Sequence, residues 1–371
     1  MSKPKLSEKL NNFSQLLIPI VALFILVVFN LIRDPAFFSI GIKVNNLGHK
    51  VLTGNLVSIL NGASELVILA IGMTLVTSAT KGQDISIGAS AAIAGSMFVK
   101  ILRAAPAITV PTILGGVVVA ALVAILFCLF NGILISKFNI QPMIASLILF
   151  TAGRPIAYWI NGGATPNVES PLLGALGGFI PGCPIPSPIL IVILFVVIMV
   201  LLLKFTTLGL YIQAVGINEK AAKLNGINPL FMKLLVFVIL GVCVALAGSM
   251  NVCRIGLINH EKILLDIEMD AILAVAIGGN SLSGGKFKLS GSILGAYIIQ
   301  ALTTTLYAMK VSSTDIKAYK AIVIIIIVVL GSPVVKEFIG KLFKHIFHVF
   351  EFFMKFLSIK SFMPTEILFC D

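Results

Sequence analysis

The chain has 371 residues, of which 58% are hydrophobic and only 11% charged, and its mean hydropathy is +1.09. A soluble domain is about 25% charged on average and a soluble chain of this length needs a large polar surface, so a water-soluble enzyme or binding module is excluded and lipid is expected to cover the chain. The net charge of +12 does not indicate a nucleic-acid partner, because the basic residues sit singly or in short groups between apolar runs, without interleaved aromatics.

Lys3, Lys5 and Lys9 precede an apolar stretch from Leu16 to Ile32 that imitates a secretory leader. Arg33, Asp34 and Pro35 follow where a small-residue cleavage site belongs, so a retained first helix is expected. A bilayer core of about 30 Å takes roughly 20 apolar residues per helix. On that basis the fold class is an all-α integral membrane protein of about ten transmembrane helices. They are placed near 15–32, 55–79, 85–102, 108–136, 141–160, 187–204, 229–252, 270–281, 289–309 and 318–335. The fourth is long enough to tilt or break, with Pro111 at its start. The third and eighth are short or glycine-punctuated.

With the N-terminus inside, the larger share of the 27 basic residues falls on the inner side, which predicts cytoplasmic N- and C-termini. The Gly- and Pro-rich stretch 161–186 is then an outer loop, and 205–228 a polar inner connection. Beyond Val335, Phe343, Phe347, Phe350 and Phe353 recur at helical intervals among Lys341, Lys344, His345, His348 and Lys355. That pattern predicts an interfacial amphipathic helix, dividing the chain into a transmembrane domain, 1–340, and a C-terminal amphipathic tail, 341–371.

Soluble enzyme chemistry is largely missing. The turn from Gly279 to Phe287 faintly resembles a phosphate-binding loop, but Asn280 stands where its first Gly belongs and Phe287 where Ser or Thr belongs. No ATP cradle and no catalytic residues are expected in the chain. His260 and Glu261 begin like a zinc motif, yet Leu264 occupies the second His position, so no metal site is predicted. Cys128, Cys183, Cys243, Cys253 and Cys370 form no CxxC pair and read as small hydrophobes.

Polar residues inside apolar segments are costly and invite a functional reading. Asn61, Glu65, Thr74, Asp84 and Gln141 are candidates for a hydrated pathway that carries a polar solute. The bland alternative is hydrogen bonding between helices. For Asp84 the pathway reading gains weight, because Gly82, Ser86 and Gly88 surround it and small residues permit irregular backbone at membrane depth. Gly291 and Gly295, like Gly88, Ala92 and Ser96, have the spacing of close helix contacts.

In the inner connection Asn218 has the character of an N-cap, Glu219 suits a first turn, and Gly226 a terminator. A helix of two turns is not stable alone, so it must rest on its own loops or on a partner protein.

Four stretches in collinear order resemble ribose-type ABC importer permeases. They are Leu69–Val76 followed by Gly82–Gly88, Gln141–Leu147, Ala214–Gly226, and Asp270–Val275 with Gly278, Gly279, Gly284 and Gly285. The resemblance spans about residues 55–335 and is nearest to galactofuranose importer permeases. It implies an inner-membrane permease that pairs with a second permease subunit around one pathway. A periplasmic sugar-binding protein would deliver the sugar, and a separate ATPase subunit would bind ATP and magnesium. It also implies that Gly216, Asn218, Glu219, Ala221, Ala222 and Gly226 form the coupling helix that docks into the ATPase, with Gly82–Gly88 near the pathway. Lys81 and Gln83 depart from the family's Gly and Ile, and Glu65 from a neutral residue. The competing reading is an ion- or proton-coupled secondary transporter of a small polar solute that uses Glu65 and Asp84.

Overall fold

The computed structural model describes residues 6–44 and 50–331. The expected tail helix, the boundary at 340 and Cys370 lie outside the described residues. Two units are distinguished, 1–320 and 321–371, and the second is described only as the helical residues through Gly331.

Helix α1 (Leu6–Arg33) leads to a two-stranded antiparallel ribbon, β1 (Gly41–Val44) and β2 (Lys50–Thr53). This ribbon of two four-residue strands is a small addition to an otherwise helical fold. Its Ile42, Val44, Val51 and Thr53 are β-formers, and Leu52 N–H donates to Pro184 O at 2.9 Å. There follow α2 (Asn55–Gly62), α3 (Ser64–Thr80), α4 (Ile87–Ala104), α5 (Val110–Ser136) and α6 (Pro142–Ile160). The stretch read as an outer loop contains a short helix, α7 (Pro171–Gly177). Pro171 at its first position explains the start, since the Gly/Pro richness that reads as loop also supplies a helix initiator.

The second half holds α8 (Ser187–Phe205), α9 (Leu208–Ile217), α10 (Glu219–Leu224), α11 (Pro229–Ile255), α12 (Ile267–Ile277), α13 (Leu289–Ala308) and α14 (Ile316–Gly331). Each of the ten expected segments overlaps a helix among the described residues, the tenth through Gly331. Among the described residues, seven stretches are long and apolar enough to cross a membrane: 55–80 (α2 with α3), α4, α5, α6, α8, α11 and α13. The other three expected segments fall on α1, α12 and α14. With 11 residues, α12 rises about 16 Å at 1.5 Å per residue, half of a bilayer core. Pro111 does not break α5, because proline at the first helical turn costs no hydrogen bond.

The interior is built around α3, where every residue from Ser64 to Ala79 is buried. A helix that is apolar all round belongs inside. It packs against α11, which also lies along α5 and α4. Small residues set those distances: a Cβ on Gly72 would lie 2.9 Å from Leu240, and one on Gly241 would lie 2.6 Å from the Ile125 Cα. In contrast, α5 turns Leu114, Val118, Leu122, Leu126 and Phe130 outward in one stripe, and α8 exposes Ile193, Leu194, Val197 and Ile198. Such an apolar exterior is incompatible with water as the only solvent.

Candidate functional site

The stretches singled out in the sequence meet at one end of the helical bundle. Lys81 ends α3 in the left-handed conformation (φ 61°), and its N–H donates to Thr77 O at 3.0 Å. The chain then runs as irregular backbone through Gly82–Ser86 before α4 begins. A Cβ on Gly82 would sit 2.6 Å from Pro142, and Ile85 N–H donates to Ser146 Oγ at 3.1 Å. This seats the segment on the first turn of α6. Gln83 Nε2 donates to Leu282 O at 3.0 Å, and Gly285 N–H donates to Ser78 O at 3.0 Å.

Lys81 Nζ reaches Ile217 O at 3.4 Å, which brings in the inner connection with α9 and α10. Gly216 is buried, and a Cβ there would overlap Ser78 O at 1.8 Å; only glycine allows α9 to touch α3 so closely. Asn218 caps α10, its side chain accepting from Ala221 N–H at 3.1 Å. At the other end Gly226 (φ 79°) donates to Lys223 O, and Ile227 N–H donates to Ala222 O, both at 3.1 Å. These are the two bonds of a Schellman terminator. Ala222 is buried against Val215 and Met232, while Glu219 Oε2 accepts from Lys233 Nζ at 2.7 Å. The helix is therefore anchored on its own chain through Glu219 and Ala222.

Its far side is open. A groove of about 1050 Å³ is lined by Lys81, Ile217, Glu219, Lys220, Lys223 and Leu230 among others. Leu224 is 90% exposed at the end of α10, with Ile217 and Phe231 exposed nearby.

The eight candidate pathway residues fall into separate places. Gly82 and the exposed Gln141 lie at the end just described. Asp84 is fully buried, accepting from Ser86 N–H (2.8 Å), Ser86 Oγ (2.6 Å) and Asn131 Nδ2 (3.3 Å). Gly88 lies against the buried Glu268, whose Oε2 would be 2.3 Å from a Cβ there. Thr74 Oγ1 is 2.6 Å from Ser292 Oγ, a bond between helices. Asn61 and Glu65 lie toward the opposite end of α3, where Arg254 Nη2 is 3.1 Å from Glu65 Oε2 and donates to Asn61 O at 2.9 Å.

Arg254, Asn131, Lys233 and Ser292 were not among the candidates. The first three interrupt or end apolar runs, the signal that picked out Glu65, whereas Ser292 is an ordinary helix-contact residue until its partner is known. Asn280, at the faulty position of the phosphate-loop look-alike, staples that turn: Nδ2 donates to Lys288 O (3.0 Å) and Ser292 Oγ (2.8 Å), and Oδ1 accepts from Lys288 N–H (2.7 Å). Among the described residues no group of His, Cys, Asp and Glu could hold a metal ion.

The chain is similar to curated transport proteins over most of its length. It is 36% identical to the galactofuranose transporter permease protein of Escherichia coli (strain K12) over 84% of this chain and 88% of that one. Identity is 35% to the fructose import permease protein of Bifidobacterium longum (strain NCC 2705), over 87% of this chain and 91% of that one. It is 32% to the ribose import permease protein of Escherichia coli (strain K12), over 84% and 92%. No solved structure matches. Residues 55–331 match the family described as "Branched-chain amino acid transport system / permease component". The chain, a multi-pass membrane protein, belongs to that permease-component family.

Proposed function

We propose that the chain is the membrane permease subunit of a bacterial ABC importer that moves a monosaccharide inward. The observation that carries this reading is the similarity, across most of both chains, to permeases named for galactofuranose, fructose and ribose. The family description names amino acids instead, but it describes a broad group, and the individual relatives are the narrower guide to the solute. Energy comes from a separate ATPase subunit that binds the nucleotide and its magnesium. Support for that partner is the open groove beside α10 and the free Leu224. A sugar-binding protein delivers the substrate on the other side, and a second permease subunit, a copy or a paralogue, completes the pathway. In this reading the groove end faces the cytoplasm of the inner membrane, as the inner excess of Lys suggests. The backbone at Gly82–Gly88 shapes the wall of the pathway, with Asp84 holding its form.

The test is uptake of labelled galactofuranose, fructose and ribose into proteoliposomes that hold the permeases, the ATPase and the binding protein. Uptake that requires ATP and both partners is the expected result. Uptake driven by an ion gradient with this chain alone would overturn it.

A further inference from the structure

Resting on the sugar reading above, we infer that Arg254 is a specificity-determining residue that reads a hydroxyl group of the transported sugar within the permease, with Glu65 as its positioning residue. Arg254 stands in the last turn of α11 with 27% of its side chain open, whereas Glu65 on α3 is 4% open. Guanidinium–carboxylate pairs frequently lock through two parallel hydrogen bonds. Here the pair meets through one, Nη2 to Oε2 at 3.1 Å, and the buried Nε of Arg254 makes none.

The same Nη2 is committed to Asn61, donating to its backbone oxygen at 2.9 Å and lying 3.5 Å from its Oδ1. Arg254 is thus turned away from a closed pair and toward the junction of α2 and α3. Among the described residues its Nη1 has no protein partner. Beside that junction lies Gln300 on α13, whose Nε2 would be 2.4 Å from a Cβ on Gly62. Its carboxamide is half-buried and, among the described residues, makes no hydrogen bond.

The half-buried side chains of Arg254 on α11 and Asn61 on α2 therefore approach each other to 3.5 Å, with Gln300 of α13 packed against the neighbouring Gly62 and Glu65 beside the guanidinium. Ligand sites fix the orientation of what they bind with a small number of placed polar groups, a charged residue among them. A charged donor that meets a hydroxyl rejects the analogue lacking it, because the buried donor is then left unpaired.

The experiment compares ATP-driven uptake of the imported monosaccharide with that of its monodeoxy analogues, in proteoliposomes of the whole importer with loaded binding protein at saturation. The wild type is expected to prefer the parent sugar by about ten- to a hundred-fold over at least one analogue, the range for a hydrogen bond to a charged group. Arg254→Met should bring that preference near parity while binding-protein-stimulated ATP hydrolysis persists. Arg254→Lys and Glu65→Asp should keep part of it.

An unchanged preference in Arg254→Met, or equal slowing of every sugar together with lost ATP hydrolysis, would overturn the inference. If Arg254→Met does not accumulate, Gln300→Leu is read the same way: a reduced preference supports the site and an unchanged one rejects it. A wild type that imports no sugar with ATP sinks the sugar reading itself. A sugar-importing wild type without preference among the analogues sinks this inference alone.

Discussion

The Nζ of Lys233, in the second turn of α11, lies 2.7 Å from Oε2 of Glu219 at the start of α10, and the two ends of that bond differ in exposure. Lys233 is 9% open and Glu219 is 49% open. Removing Glu219 leaves a mostly buried ammonium without its partner, whereas removing Lys233 releases a carboxylate into solvent. Glu219→Ala should therefore destabilise the protein more than Lys233→Met, by about 1–3 kcal/mol, the cost of an unpaired buried polar group. Thermal unfolding of the detergent-solubilised protein measures the difference. Equal melting temperatures for the two variants would show that the burial of Lys233 does not decide the loss.

Leu224 projects from the same helix with 90% of its surface free. Burying a Leu side chain contributes about 1.5–3 kcal/mol, or roughly a ten- to hundred-fold change in association. Leu224→Asp is expected to lose the ATPase subunit on co-purification by that factor and leave the melting temperature of the isolated permease unchanged. Retention of the partner at wild-type levels would place the docking surface elsewhere.

Lys81 occupies a left-handed position at the end of α3. A non-glycine residue there costs about 1 kcal/mol or more, which gives a physical reason for the glycine usual in the resembled permeases. Lys81→Gly is expected to stabilise the solubilised protein by about that amount. Lys81→Val should destabilise it, since a branched Cβ fits that conformation worst. A Lys81→Gly variant that melts below the wild type would mean that the Nζ contact with Ile217 O outweighs the backbone strain.

Much of this end of the molecule is legible in the sequence because it is built by local rules. Asn218 and Gly226 bracket α10 as capping chemistry requires, and their bonds are within a few residues of chain. Gly291 and Gly295 mark a close helix contact by spacing alone. Pairings across long separations are different in kind. Nothing local states that Glu65 meets Arg254, that Asp84 meets Asn131, or that Thr74 meets Ser292, since those depend on which helices are neighbours. The ribbon of β1 and β2 is hidden for another reason: four-residue strands carry too little periodicity to stand out beside long apolar helices.

Asp84 distinguishes a structural acid from a working one. Its three donors are Ser86 N–H, Ser86 Oγ–H and Asn131 Nδ2, and among the described residues no cation pairs with it. Asn131 Oδ1 is buried without a partner, so a flipped Asn131 amide would accept from the new amide of Asp84→Asn. That variant should keep its folded yield and ATP-driven uptake within a few-fold of wild type. Asp84→Ala should cost about 1–3 kcal/mol through the stranded donors. A proton carrier at this position predicts the opposite, a folded Asp84→Asn protein without uptake.

The contact between α12 and α13 rests on glycine at both faces. A Cβ on Gly278 would lie 2.3 Å from the carbonyl carbon of Gly291, and one on Gly291 would lie 2.1 Å from Gly278 O. Neither obstacle is a flexible side chain, so α13 must move as a unit to admit even one methyl group. Gly278→Ala and Gly291→Ala should each destabilise by about 1–3 kcal/mol, the usual range for overpacking. The Asn280 bonds to Lys288 and Ser292 lie next to this contact, so part of that loss comes from the stretched turn. Because the first methyl already separates the helices, the second should cost little more, and the double variant should fall well short of the sum. Melting temperatures of the three variants decide it. Additive losses would mean that the two glycines are crowded by independent neighbours and that the close approach of α12 and α13 is not shared between them.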